Sequence, residues 1–376
     1  MPKVIPWDEF DSKCSFFMLS FARNAATFWY AGIPNKNSTL NIILLSNLGL
    51  SLIKNKWLFY TVYENMKQVQ HFESPLRNSL QQKPAFFLLV LLFLLLVLSL
   101  LSALWIHFLE AATGYDYQAT LKQLSNNNNA TIRHFIRLAN MISQIHTFLL
   151  PTLAMAVLAY AWQWWRSLQL HQSPNLTNVV LAIFFMMAVF PLAQAVYFLN
   201  KMLPLPESAL ALEQKLAQLS KALMVMESPY ELLGNLATIA LIPAIGEELF
   251  FRGLLQQKIA QWMQRPQWAI WIAALIFSAF HGQFQGFLPR LLLGASLGYL
   301  FFWTKNLWIP IIAHFFNNAA QIILLYRHPL QFSNVEMNSN PPNLALLVVV
   351  SSIFVALLSY LIIHFNRSTL DNSRNT

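Results

Sequence analysis

The sequence predicts an all-α fold, a polytopic membrane helix bundle with about eight transmembrane helices, and three observations carry that prediction. Of 376 residues, 56% are apolar and only 10% charged, against roughly 25% charged in an ordinary soluble domain. Eight apolar runs approach the length of about 20 residues that a helix needs to cross about 30 Å of hydrocarbon. Lys and Arg sit in short segments beside those runs, as topology signals do. The net charge of +9 is therefore read as membrane orientation, and nucleic acid is not expected as a partner. The single cysteine, Cys14, excludes an intramolecular disulfide framework and a thiolate zinc site, because each needs more than one sulfur.

The chain opens with a basic region, 1–84, whose apolar stretches near 15–32 and 39–53 are too short or too interrupted to span; interfacial helices are expected there. Asp8, Glu9, Asp11, Lys13 and Arg23 interrupt the start, so no signal peptide is predicted and the N-terminus is expected to be retained. The spans are placed near 85–108, 146–165, 176–199, 231–252, 268–285, 287–304, 307–326 and 344–365. Residues 85–229 hold the first three, and Asn126 to Asn129 form a polar loop after the first. Leu212, Leu216, Leu219, Leu223 and Met226 recur at steps of four and three, with Lys215 and Lys221 off the stripe. That spacing predicts an amphipathic surface helix. Residues 230–326 form the chemically interesting core, and 327–376 the last span and tail.

Positive charge orients the bundle. Lys122, Arg133, Arg137, Lys201, Lys215, Lys221, Arg290 and Arg327 fall on one side and Arg252 inside a span, which leaves fifteen of the 24 Lys and Arg on the other side. Basic residues are enriched in cytoplasmic loops, so both termini are expected in the cytoplasm. Trp162, Trp164, Trp165, Trp303 and Trp308 fall where interfacial aromatic belts form.

The fourth and seventh spans carry polar residues that hydropathy alone would penalise, and the fifth carries a histidine among apolar neighbours. The fourth reads Leu241-Ile-Pro-Ala-Ile-Gly-Glu-Glu-Leu-Phe-Phe-Arg-Gly253. An ionisable group at membrane depth costs about 2.5–3.5 kcal/mol on insertion scales and normally faces a partner inside the bundle. Glu248 and Arg252 are four apart and can pair, whereas Glu247 projects about 100° away and is left for a neighbouring helix. The other arrangement ends the span at Gly246 and leaves all three solvated at the boundary. Span five carries Phe277-Ser-Ala-Phe-His281, and span seven His314-Phe-Phe-Asn-Asn318, with His314 and Asn318 four apart on one face. A lone intramembrane His is usually a helix-to-helix hydrogen bond. Two His, an Asn and an unpaired Glu on separate helices are the groups that activate a water and stabilise an oxyanion. One tension is visible: His281 falls about 13 residues into span five, about 20 Å deep, deeper than His314. Span six contains Gly294-Ala-Ser-Leu-Gly298, a small-residue stripe for close helix packing. Pro191, Pro243 and Pro310 remove backbone donors and can kink their helices.

These residues resemble the three motifs of the CPBP family of intramembrane proteases, which includes the CAAX prenyl endopeptidases and bacteriocin-processing proteins: E-E-x-x-x-R, F-x-x-x-H and H-x-x-x-N. They occur in order as Glu247-Glu248-Leu-Phe-Phe-Arg252, Phe277-Ser-Ala-Phe-His281 and His314-Phe-Phe-Asn-Asn318, and the resemblance covers about residues 230–326. It implies an endopeptidase acting on a peptide or membrane-protein substrate in the bilayer, in a bacterial inner membrane. It assigns water activation to Glu247 and His281, oxyanion stabilisation to His314 and Asn318, and a supporting ion pair to Glu248 and Arg252, with no metal cofactor. A competing assignment makes Glu247, His281 and His314 zinc ligands; no His-Glu-x-x-His helix accompanies them. Two other function classes compete with hydrolysis: a non-catalytic scaffold or immunity-type partner that keeps the cluster for binding, and a transporter with midplane polar groups. No duplicated halves support the transporter.

Overall fold

The computed structural model describes residues 75–124, 129–328 and 343–367. The expected interfacial helices of the basic region, and most of the Asn126 to Asn129 loop, lie outside these residues. Eleven helices and no strand occur among the described residues: α1 (Pro75–Gln82), α2 (Pro84–Thr113), α3 (Tyr117–Leu124), α4 (Ala130–Ser167), α5 (Leu176–Lys201), α6 (Glu207–Leu223), α7 (Pro229–Met263), α8 (Pro266–Ala279), α9 (Phe287–Thr304), α10 (Trp308–Arg327) and α11 (Leu344–Phe365). Seven of them, α2, α4, α5, α7, α9, α10 and α11, are long and apolar enough to cross a membrane. With the shorter apolar α8 they occupy the eight expected positions. The outer faces of α2 and α11 expose Leu89, Phe93, Leu100, Leu346, Ile353 and Phe354, which only hydrocarbon can solvate without cost. The protein is an integral membrane protein.

Local signals start and stop these helices. Asn175 caps α5 by accepting from the Thr177 N–H at 2.9 Å. Ser228 caps α7 ahead of Pro229 by accepting from the Glu231 N–H, and the Glu231 carboxylate accepts the Glu227 N–H just outside the helix. Gly114 ends α2 in the left-handed conformation.

The second span is longer than expected. Helix α4 begins sixteen residues before 146, because Arg133 and Arg137, which lower the hydropathy of that stretch, are buried and paired. Arg133 Nε and Arg137 Nη1 donate to Glu231 Oε1 at 2.7 and 2.9 Å, and Arg133 Nη2 reaches Glu227 at 2.7 Å. This network ties α4 to the first turn of α7. Helix α6 is the expected amphipathic helix; Leu219, Ala222 and Leu223 pack on Leu124, Ile132, Phe135 and Ile136, while Leu212 remains exposed.

Span five is corrected. Helix α8 stops at Ala279 and not near 285; its 14 residues rise about 21 Å, short of a full crossing. Gly282, at φ +62°, takes the left-handed conformation that turns the chain out of the helix, and the Ser278 hydroxyl donates to the Phe287 carbonyl across the turn. The small-residue stripe of α9 packs where expected. A Cβ on Gly294 would lie 3.0 Å from the Phe277 ring, and one on Gly298 2.9 Å from Ile270. On the other flank, α5 buries Ala182, Phe185, Met186 and Val189 against Leu358 and Ile362 of α11 and Leu297 and Leu300 of α9, and Asn178 and Asn366 exchange amide hydrogen bonds.

Candidate active site

Helix α7 continues eleven residues beyond Arg252, which decides between the two arrangements left open for its charges. Glu247, Glu248 and Arg252 are 5%, 0% and 1% exposed, buried inside the bundle. Their helix is irregular on both sides. A widened π-type turn over Leu236–Leu241 precedes Pro243, and a second runs over Leu249–Gln256; such widening recurs at functional sites. Pro243 has no N–H to offer the Ile239 carbonyl four residues earlier. Asn318 of α10 supplies a donor instead, its Nδ2 lying 3.4 Å from that oxygen. This contact joins α10 to α7 beside the site.

Glu248 is the hub. Its Oε1 accepts from Arg252 Nη1 at 2.6 Å and from His314 Nδ1 at 2.8 Å. Arg252 Nη2 donates to the Gly294 carbonyl at 2.7 Å, and its guanidinium lies 5.1 Å from the centre of the Phe277 ring, within cation–π range. The expected Glu248–Arg252 pair is therefore present, and Glu248 also holds a histidine 66 positions away that the sequence could not link to it. With Nδ1 on Glu248, His314 presents Nε2 to the site. A neutral ring would accept there, and donation to an oxyanion requires the doubly protonated ring.

Phe277 joins the three motifs. Its ring meets His281 at 5.0 Å, His314 at 6.1 Å and Phe251 at 5.2 Å between centroids, besides Arg252. His281 lies past the end of α8, exposed in the turn, which removes the depth conflict raised by placing it inside a regular span. Its Nδ1 is 2.9 Å from the Phe277 carbonyl. A carbonyl can only accept, so Nδ1 carries a proton, and in the neutral ring Nε2 then keeps a free lone pair. The Glu247 carboxylate receives no hydrogen bond among the described residues, and Asn318 accepts at its side-chain oxygen from Asn317 at 3.2 Å. Phe148, Phe250, Phe251, Phe277 and Phe280 form a contiguous aromatic wall beside these groups. No three His, Cys, Asp or Glu side chains among the described residues are gathered as a metal-ligand set, the alternative trio Glu247, His281 and His314 included.

A stretch of 86 residues, 22% of the chain, is 34% identical to the uncharacterized protein YpbD of Bacillus subtilis. The match spans 41% of that relative's length. No solved structure matches. Residues 229–320, from the start of α7 to well into α10, match the family of Rce1-like type II CAAX prenyl endopeptidases, the family grouping that the three motifs resemble.

Proposed function

We propose that the protein is an endopeptidase of the bilayer that hydrolyses a peptide bond in a membrane-associated or lipidated substrate. The observation that carries the reading is the convergence, around Phe277 and Glu248, of the three motifs from α7, the end of α8 and α10. In this reading Glu247 takes a proton from the attacking water and the Nε2 lone pair of His281 orients it. The hydroxide adds to the scissile carbonyl, and the tetrahedral oxyanion is met by His314 Nε2–H and the free Asn318 amide N–H. Collapse breaks the C–N bond, and the proton taken from water goes to the departing amine. Glu248 and Arg252 hold His314 in place. Phe280, the exposed edge of the aromatic wall, suits an apolar or prenylated segment beside the cleavage point. We place the chain in a bacterial inner membrane with both termini cytoplasmic and assign the reaction no metal; dialysis against a chelator separates the zinc alternative. A second reading, a binding scaffold or immunity-type partner, keeps the cluster for recognition alone.

Comparing the proteomes of cells carrying the native chain or Glu247→Ala tests the proposal and identifies the substrate in the same measurement. Uncleaved precursors should accumulate with Glu247→Ala and with His281→Ala while membrane insertion is unchanged. His314→Ala and Asn318→Ala should slow cleavage about 10²- to 10³-fold, the usual loss for one oxyanion donor. If the Ala variants restore every phenotype of a deletion strain as fully as the native chain, the protein acts by binding and hydrolysis is refuted.

A further inference from the structure

We propose that Glu213, on the amphipathic helix α6 and outside the segment that matches a known family, is a positioning residue for His281. The proposal deepens the hydrolytic reading, on which its rate prediction rests. His281 is the second residue of 280–286, the connection from α8 to α9, and this connection borrows hydrogen bonds from other helices. Glu213 Oε1 accepts the backbone N–H of Phe284 and, at 3.4 Å, that of Gln285. From α5, Asn200 Nδ2 donates to the carbonyls of the same two residues at 2.5 and 2.7 Å. Two consecutive residues are thus held at both their donors and their acceptors by side chains from two helices. The same connection contains Gly282 in the left-handed conformation and exposes His281, Gly282 and Phe284, so it has little packing of its own to fix it.

Glu213 is placed for this task. Its neighbours Ala211, Leu212, Gln214 and Lys215 are all exposed, yet Glu213 is 8% exposed. Burying a carboxylate is costly unless donors meet it, and here two backbone N–H groups do. Arg290, whose charge Glu213 also feels, closes the connection from the α9 side by donating to Gln283. Its guanidinium lies over Gly286, where a Cβ would be 2.5 Å from Nη1, so a side chain there would displace the guanidinium. The far end of α6 is fixed independently, through Leu219 and Leu223 on α4 and the Arg137 bond to the Leu223 carbonyl at 3.0 Å. Helix α6 is therefore a strut running from the Arg133–Glu231–Arg137 network to the turn that carries His281. The imidazole is oriented from one side by the Phe277 carbonyl, and the connection that carries it is held three and four residues on by Glu213.

The experiment measures two things on purified protein in lipid nanodiscs. Hydrogen exchange of the peptide covering 281–286 reads the clamp directly, and steady-state cleavage of an internally quenched peptide with a prenylated cysteine near its C-terminus reads the chemistry. In Glu213→Ala the Phe284 and Gln285 amides should exchange faster while α8 and α9 keep native protection. kcat should fall about 10- to 100-fold with KM within about twofold, since misplacing a reacting group by about 1 Å costs on that order. Glu213→Gln keeps an acceptor oxygen and should recover most of kcat and of the protection, which a general loss of folding would not allow. Gln214→Ala, exposed on the same helix, should behave as native. Native exchange in Glu213→Ala, or native kcat despite faster exchange, overturns the proposal. Should the native protein leave the probe uncleaved, the exchange comparison still decides whether Glu213 holds the turn, and the hydrolytic reading is judged separately.

Discussion

Replacing Glu248 by Gln removes the charge at the centre of the site while keeping its shape, and the structure sets the size of the effect. Oε1 loses its charge toward Arg252 at 2.6 Å and His314 at 2.8 Å. Hydrogen bonds to charged groups are worth about 1.5–3 kcal/mol each, and breaking a buried ion pair by removing one partner costs about 3–5 kcal/mol. The two scales agree. Arg252 keeps the Gly294 carbonyl and the Phe277 ring, so the lower end, about 3 kcal/mol, is expected. Glu247→Gln removes a carboxylate that holds no hydrogen bond among the described residues and should cost about 1 kcal/mol or less. Thermal unfolding of both variants in one detergent is the assay. Glu248→Gln should melt lower than the native protein by about 4 °C, and Glu247→Gln close to it. Adding Arg252→Met to Glu248→Gln should return part of the loss, since no cation is then left unpaired. Equal melting of the two single variants, or a double variant less stable than Glu248→Gln alone, would refute the buried-pair reasoning.

Two further outcomes are expected. Reporter fusions after Gly114 and after Arg367 should report opposite sides of the membrane, with the second cytoplasmic, if the short α8 and the turn after it complete a crossing beside the seven longer helices; a shared side would overturn that topology. Activity should survive dialysis of the purified protein against a tight zinc chelator. Stoichiometric zinc, with activity that vanishes on its removal and returns on its addition, would instead support Glu247, His281 and His314 as ligands.

The sequence by itself determined the fold class, because hydrocarbon imposes a length and a composition that each spanning helix must meet locally. It located the eight apolar helices, the amphipathic α6 and the packing stripe Gly294-Ala-Ser-Leu-Gly298, all properties of spacing along one helix. It also marked Glu247, Glu248, Arg252, His281, His314 and Asn318 as a set, and the i to i+4 spacing was enough to pair Glu248 with Arg252. The tertiary structure decided what depends on distant residues. Arg133 and Arg137 read as breaks in hydropathy until Glu231, some hundred positions on, is brought to them. The end of α8 at Ala279 follows from a glycine turn whose backbone is completed by Asn200 and Glu213. His314 finds Glu248, and Asn318 finds the carbonyl that Pro243 leaves without its usual donor, only because α10 lies against α7. Periodicity records which face of a helix is buried, and it carries no information about which partner buries it.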